Sequence, residues 1–318
     1  MQQLFEIDLH DYEGCTKVFS RPSARGIIVG DGKMALVYSR KEKYYKFPGG
    51  GIHGREDKKT ALIREVREET GLVVMPESIT EFGIVMRRQK SNHSPDTVFE
   101  QENFYFVCRV VRVEEEIAEQ RLDDYEREAE FTLRYVPIEE AIRVNEAYRT
   151  DDFFNEIMIR REAKVLRIIR KAMITQALLP YAYVMSTFPE EERIYTEEYS
   201  SMLDTLLERH PENRFLRELE AVSGAVQSAA FILEHSEYCV VAPDDFGRVF
   251  VKLLRIVYEN MELSAFAKSM YELWGKLPDG IINTPPFITL CYADDSLLAC
   301  GEEAQTRRLY ENLFNYYD

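Results

Sequence analysis

The chain has 318 residues, 45% hydrophobic and 30% charged, with a formal net charge of −16. That length exceeds one ordinary domain and predicts two, and the absence of an apolar run of about 18 residues argues against a helical membrane span. The charge is uneven: residues 176–318 hold 11 Lys+Arg against 24 Asp+Glu, and residues 1–175 hold 29 against 32. The second half therefore lacks the clustered cations that neutralise nucleic-acid phosphates, and no nucleic-acid partner is expected. Five cysteines (Cys15, Cys108, Cys239, Cys291, Cys300) form no C-x-x-C pair. An odd, scattered set argues against a disulfide framework or zinc site and fits a reducing cytoplasm. The N-terminal stretch is acidic, without the basic start and apolar run of a signal peptide.

In chain order, residues 1–22 read as an edge strand or a lead-in arm. Residues 25–29 and 34–38 are β-rich runs around Gly30-Asp31-Gly32-Lys33, a strong hairpin signal. Residues 43–47 continue as a short strand into Phe47-Pro48-Gly49-Gly50-Gly51, a loop whose backbone can approach a ligand closely. A helix follows, with Asp57 as its N-cap and Gly71 as its C′ residue. On it Glu65, Glu68 and Glu69 stand at i, i+3 and i+4, which places three carboxylates on one arc. Like charges so placed repel by a few tenths of a kcal/mol per pair, roughly, so the arrangement makes sense around a cation. Oxygen-only ligands suit Mg²⁺ or Mn²⁺, and Mg²⁺ favours phosphate oxygens as its further ligands. Leu62, Ile63 and Val66 form the apolar stripe that docks the helix.

The stretch 50–72 reads Gly50, Glu56, Arg64, Glu65, Val66, Glu68, Glu69, Gly71, Leu72 at the spacing G-x5-E-x7-R-E-U-x-E-E-x-G-U, U being aliphatic. In this it resembles the Nudix box without a departure. The resemblance implies an α/β/α sandwich with a mixed sheet over residues 20–150, and hydrolysis of nucleoside diphosphates linked to a further group. It implies Glu65 and Arg64 as the catalytic pair, Glu65 being a metal ligand or the proton acceptor. Glu68, Glu69 and the carbonyl of Gly49 are the further implied metal ligands. Glu56 is expected to brace the loop. A further acid from outside the box is expected, with Glu128 favoured over Glu100, Glu102, Glu126 and Glu130. Arg25, Lys46 and Arg87 are the leading cations for substrate anions, with Arg88 and Lys90 beside them. Arg87 stands where ADP-ribose members tend to carry a proline, and Arg88-Gln89-Lys90 where dinucleoside-polyphosphate members tend to carry a tyrosine. A nucleoside triphosphate pyrophosphohydrolase is the remaining default.

Strands are predicted at 72–74, 79–87, 99–113 and 131–136, with a polar loop at 90–96. The charged stretch 114–130 reads as an exposed helix or a loop over the site. Pro137 opens a helix over 138–146 with Glu139 and Glu140 in its first turn. Residues 153–173 read as an amphipathic helix with Ile157, Leu166, Ile169 and Met173 on one side and Arg160, Arg161, Lys164, Arg167 and Lys171 elsewhere. That basic face could approach phosphate; the simpler reading is a solvated surface. Taken together, residues 1–172 are expected to form the Nudix domain and residues 173–318 a mainly α-helical domain. Helices are predicted at 197–209, 214–235, 246–273 and 305–317, the last burying Leu309, Leu313 and Tyr316, with prolines such as Pro180 punctuating the region. A strand is predicted at 285–290, and Tyr292-Ala293-Asp294-Asp295 reads as a surface turn. The leading functional reading is a metal-dependent hydrolase of a nucleotide-type small molecule, cytoplasmic and without a membrane partner. The alternative is a nucleotide-sensing regulator built on the same fold. Residues 176–318 could in either case serve as an interaction module, making a homodimer.

Overall fold

The computed structural model describes residues 1–111, 127–288 and 303–317. The chain divides into two compact units, Met1–Arg170 and Lys171–Asp318. In the first, β1 (Gln3–Asp8), β2 (Lys17–Ser20), β3 (Ser23–Ile27), β4 (Val29–Gly30), β5 (Lys33–Ser39), β6 (Tyr45–Lys46) and β7 (Gly49–Gly51) precede helix α1 (Lys58–Thr70). Then come β8 (Val73–Val74), β9 (Thr80–Lys90), β10 (Thr97–Val107), β11 (Val110–Val111), β12 (Phe131–Val136), α2 (Ile138–Ala147) and α3 (Phe153–Thr187). The main sheet runs β1-β9-β10-β3-β7, with β2 also paired to β10; a second sheet runs β12-β5-β4, with β6 on β5. Pairing is mixed: β10 is antiparallel to β9 but parallel to β2 and β3.

The Asp31-Gly32 turn joins β4 to β5, as its sequence predicts, but the ladder is only two pairs long before β3 and β5 part into different sheets. Residues 1–22 supply β1, a parallel neighbour of β9, and β2.

Strand periodicity gives β10 two buried faces of opposite character. Phe104 and Phe106 turn towards α1 and pack with Ala24, Ala61, Leu62 and Val66. Gln101, Asn103 and Tyr105 turn the other way and meet Arg161 and Glu162 of α3. The sheet is thus sandwiched between α1 and α3. Arg161, expected on the outer face of its helix, is 1% exposed. Its helix lies on a polar sheet face, so the buried side must carry polar partners. A smaller apolar cluster of Val37, Tyr44, Phe131 and Ile159 lies beside this layer.

α3 continues to Thr187 through Pro180, where a break was expected. A helix-interior proline costs about 3 kcal/mol. Here Leu178, Leu179, Tyr181, Ala182, Val184 and Met185 are all buried around it, and each large apolar side chain so buried returns roughly 1.5–3 kcal/mol. The second unit is otherwise built from α4 (Ser200–Arg209), α5 (Arg214–Glu220), α6 (Ala225–Glu234), α7 (Pro243–Asn260), α8 (Leu263–Trp274), α9 (Asp279–Ile282) and α10 (Glu303–Phe314). The run predicted over 214–235 breaks before Ala225 and that over 246–273 breaks at Met261. In α10 the buried residues are Thr306, Tyr310, Leu313 and Phe314, whereas Tyr316 is exposed beyond the helix end. Phe250, Phe266, Phe287 and Tyr310 anchor the core of this unit. Residues 114–126 of the predicted loop or helix at 114–130, the acid Glu126, the end of the strand at 285–290 and the turn at Tyr292–Asp295 lie outside the described residues. Among the described residues no helix is long and apolar enough to cross a membrane.

Candidate active site

The site begins with how α1 is held. Asp57 caps it by accepting from the backbone N–H groups of Lys59 and Thr60, and Gly71 ends it at φ 73°. Arg64, in the middle, ties the surrounding groups together. Its Nε and Nη2 donate to the two carboxylate oxygens of Glu56, at 2.9 and 2.8 Å. Nη1 donates to Glu65 Oε1 at 2.8 Å and Glu68 Oε2 at 3.1 Å, and Nη2 also reaches the carbonyl of Gly51 at 3.0 Å. The Arg64 fork, helped by the His53 amide and working against some burial, holds the Glu56 carboxyl down to about 2. Glu56 thereby braces the loop.

Glu65 is shifted the other way. Burial raises its pKa, Arg64 opposes this, and the nearby charge of Glu69 adds to the rise. Its carboxylate lies against the backbone of Gly50, where an added Cβ would come within 2.2 Å of Oε2. Only glycine leaves room for that approach. Gly49 is constrained in another way: φ is +134°, and a Cβ there would meet the carbonyl of Ala24 at 2.1 Å.

Glu69 is 2% exposed and faces the start of the glycine strand. Its Oε1 accepts from Lys46 Nζ at 2.6 Å and its Oε2 from the Gly49 amide at 2.8 Å. Lys46 also lies 4.2 Å from the centre of the Phe131 ring. The adjoining backbone is pinned from two sides. Asn145 of α2 accepts from the Tyr45 amide and donates to the Tyr45 carbonyl, both at 2.8 Å. Glu162 of α3 accepts from the Phe47 amide at 2.8 Å and from the Tyr105 hydroxyl at 3.1 Å. Although fully buried, Glu162 keeps a lowered pKa because Arg161 and Arg25 outweigh desolvation. None of Asn145, Arg161 or Glu162 was expected at the site from sequence. The only signal available was a consecutive Arg-Glu pair facing a polar strand.

The predicted residues are therefore distributed as follows. Glu65, Glu68 and Arg64 form one linked group, and Glu69, Lys46 and Gly49 another immediately beside it. Arg25 donates to the carbonyl of Gly49 at 2.5 Å, so it braces the loop at the carbonyl expected to bind metal. Lys46 is engaged by Glu69 rather than facing solvent. Arg87 is fully buried, donates to Gln89 Oε1 at 2.7 Å and stacks 4.0 Å from the centre of the Phe154 ring. Burial, with Arg161 close by, pulls its pKa down to about 9. Glu128 is exposed, and among the described residues no hydrogen bond or ion pair links it to the box. Glu100 is held by Arg88 at 2.6 Å. Glu102 shares with Phe104 the face of β10 that turns towards α1.

As these side chains stand, no three Asp, Glu, His or Cys groups among the described residues converge closely enough to grip one ion. The donor chemistry nevertheless fits a hard divalent cation. The carboxylates of Glu56, Glu65 and Glu68 converge on Arg64, and that of Glu69 on Lys46. Among the described residues Glu68 is held only by the longest of the Arg64 carboxylate bonds, so it is the acid most readily released towards an ion.

Residues 20–157 match the family model described as NUDIX domain. No curated protein matches the chain. Solved structures it is similar to include a NUDIX hydrolase from Nitrosomonas europaea, at 20% identity over 46% of this chain and 91% of that one, with a TM-score of 0.32. A MutT NUDIX hydrolase from Burkholderia pseudomallei is 16% identical over 45% and 97%, with a TM-score of 0.29. An ADP-ribose pyrophosphatase from Streptococcus suis is 17% identical over 47% and 92%, with a TM-score of 0.29. With the intact box and the family match over residues 20–157, the N-terminal region of this chain is a Nudix-family domain.

Proposed function

We propose that this domain hydrolyses a pyrophosphate bond in a nucleoside diphosphate linked to another moiety, with Mg²⁺ as cofactor and Mn²⁺ as its substitute. A Nudix domain fits pyrophosphate-bond hydrolysis in general. The observation that carries the finer reading is the close set of carboxylates beside Gly49 and Gly50, with Glu65 half buried and raised in pKa against a glycine. Glu68, Glu69 and the Gly49 carbonyl would hold the ion, with Glu65 either a further ligand or the group that takes the proton from water. Bound there, the ion neutralises phosphate oxygens and makes a coordinated water more acidic.

The chain's own residues supply the rest. Glu65, raised by burial above the ordinary carboxyl range, is suited to take a proton from the attacking water. The oxygen of that water bonds to phosphorus as the bridging P–O bond breaks, leaving two phosphorylated products. Arg64 positions Glu65 through the Nη1–Oε1 bond. Lys46 and the Gly49 amide fix Glu69. Asn145 and Glu162 keep the backbone of Tyr45 and Phe47 in register with the box.

The experiment is a panel of nucleoside triphosphates and nucleoside diphosphate conjugates assayed for nucleoside monophosphate formation with Mg²⁺, with and without chelator. Glu65→Gln and Glu69→Gln are expected to lose turnover by 100-fold or more, an order of magnitude set by misplaced general bases and ion ligands. Full turnover in both variants would overturn the assignment. A nucleotide-sensing module without turnover is the competing reading, favoured by the hold of Lys46 and the Gly49 amide on Glu69. Metal-dependent nucleotide binding with no hydrolysis product from any panel member would select it.

A further inference from the structure

A second concave surface lies in the first unit, on the far side of α3 from the buried Arg161 and Glu162. Glu156, Arg160, Ala163, Lys164 and Arg167 recur along one face of that helix. With the α2–α3 turn they enclose a cleft of about 600 Å³, the size range of small-ligand pockets. Its charge runs against that of the molecule. The whole chain carries −16, yet four cations, Arg149, Arg160, Lys164 and Arg167, line the cleft against two carboxylates, Glu146 and Glu156.

The internal pairing leaves cationic capacity over. Arg160 pairs with Glu156 and Arg167 with Glu146. Arg149 Nη1 donates to the carbonyls of Glu146 and Tyr148, at 2.7 and 2.6 Å, and no carboxylate is bonded to Arg149 among the described residues. The Lys164 ammonium stands 4.0 Å from the centre of the Phe5 ring, and no carboxylate is bonded to it among the described residues. Ile159 and Ala163 are buried and supply apolar lining. Basic walls with an apolar lining suit a molecule that has an organic body and a multiply charged anionic end. Arginine forks match phosphate oxygens in geometry, and a concave surface with a net charge of one sign concentrates counter-charged solutes.

We propose that this cleft binds a small organic phosphate carrying at least two negative charges, at a site separate from the box. The site is independent of divalent metal, because its walls are already cationic.

The test is calorimetric titration of the full chain with ADP and, separately, with inorganic pyrophosphate, in excess chelator. Excess chelator removes the divalent ion through which the box would hold a phosphate. Saturable binding is expected, weakening as salt rises. Lys164→Glu, and independently Lys164→Gln with Arg167→Gln, should weaken it tenfold or more at unchanged melting temperature; these side chains are exposed, so folding is not at issue. Glu65→Gln should leave it unchanged. The proposal is overturned if neither probe binds, if the cleft variants bind as well as the parent, or if binding appears only with Mg²⁺, which would assign it to the box. Pyrophosphate and ADP binding equally would make the anionic end the recognised part; tighter binding of ADP would bring in the apolar lining. Either result supports the site.

Discussion

Replacing Gly50 by alanine separates the catalytic geometry from the fold. The added methyl would come 2.2 Å from Glu65 Oε2 and 2.4 Å from its Cδ, whereas ordinary contact begins near 3.4 Å. One of the two must yield by a little over 1 Å, roughly, and the carboxylate is the free end of a flexible side chain while Gly50 is paired to Ala24 in the sheet. The carboxylate is therefore displaced and the strand stays. Misplacement by about 1 Å at a reacting group costs on the order of 100-fold in rate, or about 2.7 kcal/mol of transition-state stabilisation. Steady-state nucleoside monophosphate formation with Mg²⁺ should show kcat reduced by that factor, with a melting temperature close to the parent. Gly51→Ala is the comparison, since a Cβ there meets nothing nearer than Arg21 at 3.8 Å, and it should cost far less. A Gly50→Ala enzyme within threefold of the parent would show that Glu65 does not need its present position, and the proton-transfer role assigned to it would fall.

Three further outcomes follow from the same geometry. Glu56 has a folded pKa of about 2 against an ordinary value of 4.5, so its stabilising contribution is complete above 4.5 and is lost as pH falls towards 2. Glu56→Gln should thus melt lower than the parent at pH 7, and the gap should close between about pH 4.5 and 2. A gap constant across that window would break the argument. Glu65 is displaced upward by burial and by Glu69, so the acidic limb of kcat/KM should lie above the ordinary glutamate range and move higher in Arg64→Gln; a limb that stays put would disconnect Arg64 from Glu65. Lys46→Met leaves the buried Glu69 without its 2.6 Å cation and should destabilise the first unit by about 3–5 kcal/mol. Adding Glu69→Gln should recover part of that loss; thermal denaturation of the single and double variants gives the coupling.

What could be read in advance was local. The caps of α1, its docking stripe and its acidic arc are all set by spacing within one helix, and the structure reproduces the Asp57 and Gly71 caps. The Asp31-Gly32 turn was equally legible, because a two-residue turn carries its own signature. What escaped were properties set by distant partners. Lys46 looks like a mouth-facing cation until Glu69 is seen 2.6 Å away. Arg161 looks solvated until Gln101 and Asn103 are found to make the underlying sheet face polar. Pro180 reads as a stop because nothing in its own neighbourhood reveals the core that holds the helix on either side of it. Charge count alone also hid the cleft, because −16 is a sum over the whole chain and says nothing of where four cations meet.

The hold of Glu162 on the Phe47 amide bears on where the first unit can be cut. The family match ends at residue 157, but Arg161 and Glu162, which satisfy Phe47, Asn103 and Tyr105, come after it. A fragment trimmed to the matched span would uncover a layer of orphaned donors and acceptors directly behind the glycine strand. During synthesis, likewise, the site has its full scaffold only once the chain has grown past the first turns of α3, so the box, though early in sequence, is among the later parts of this unit to be completed.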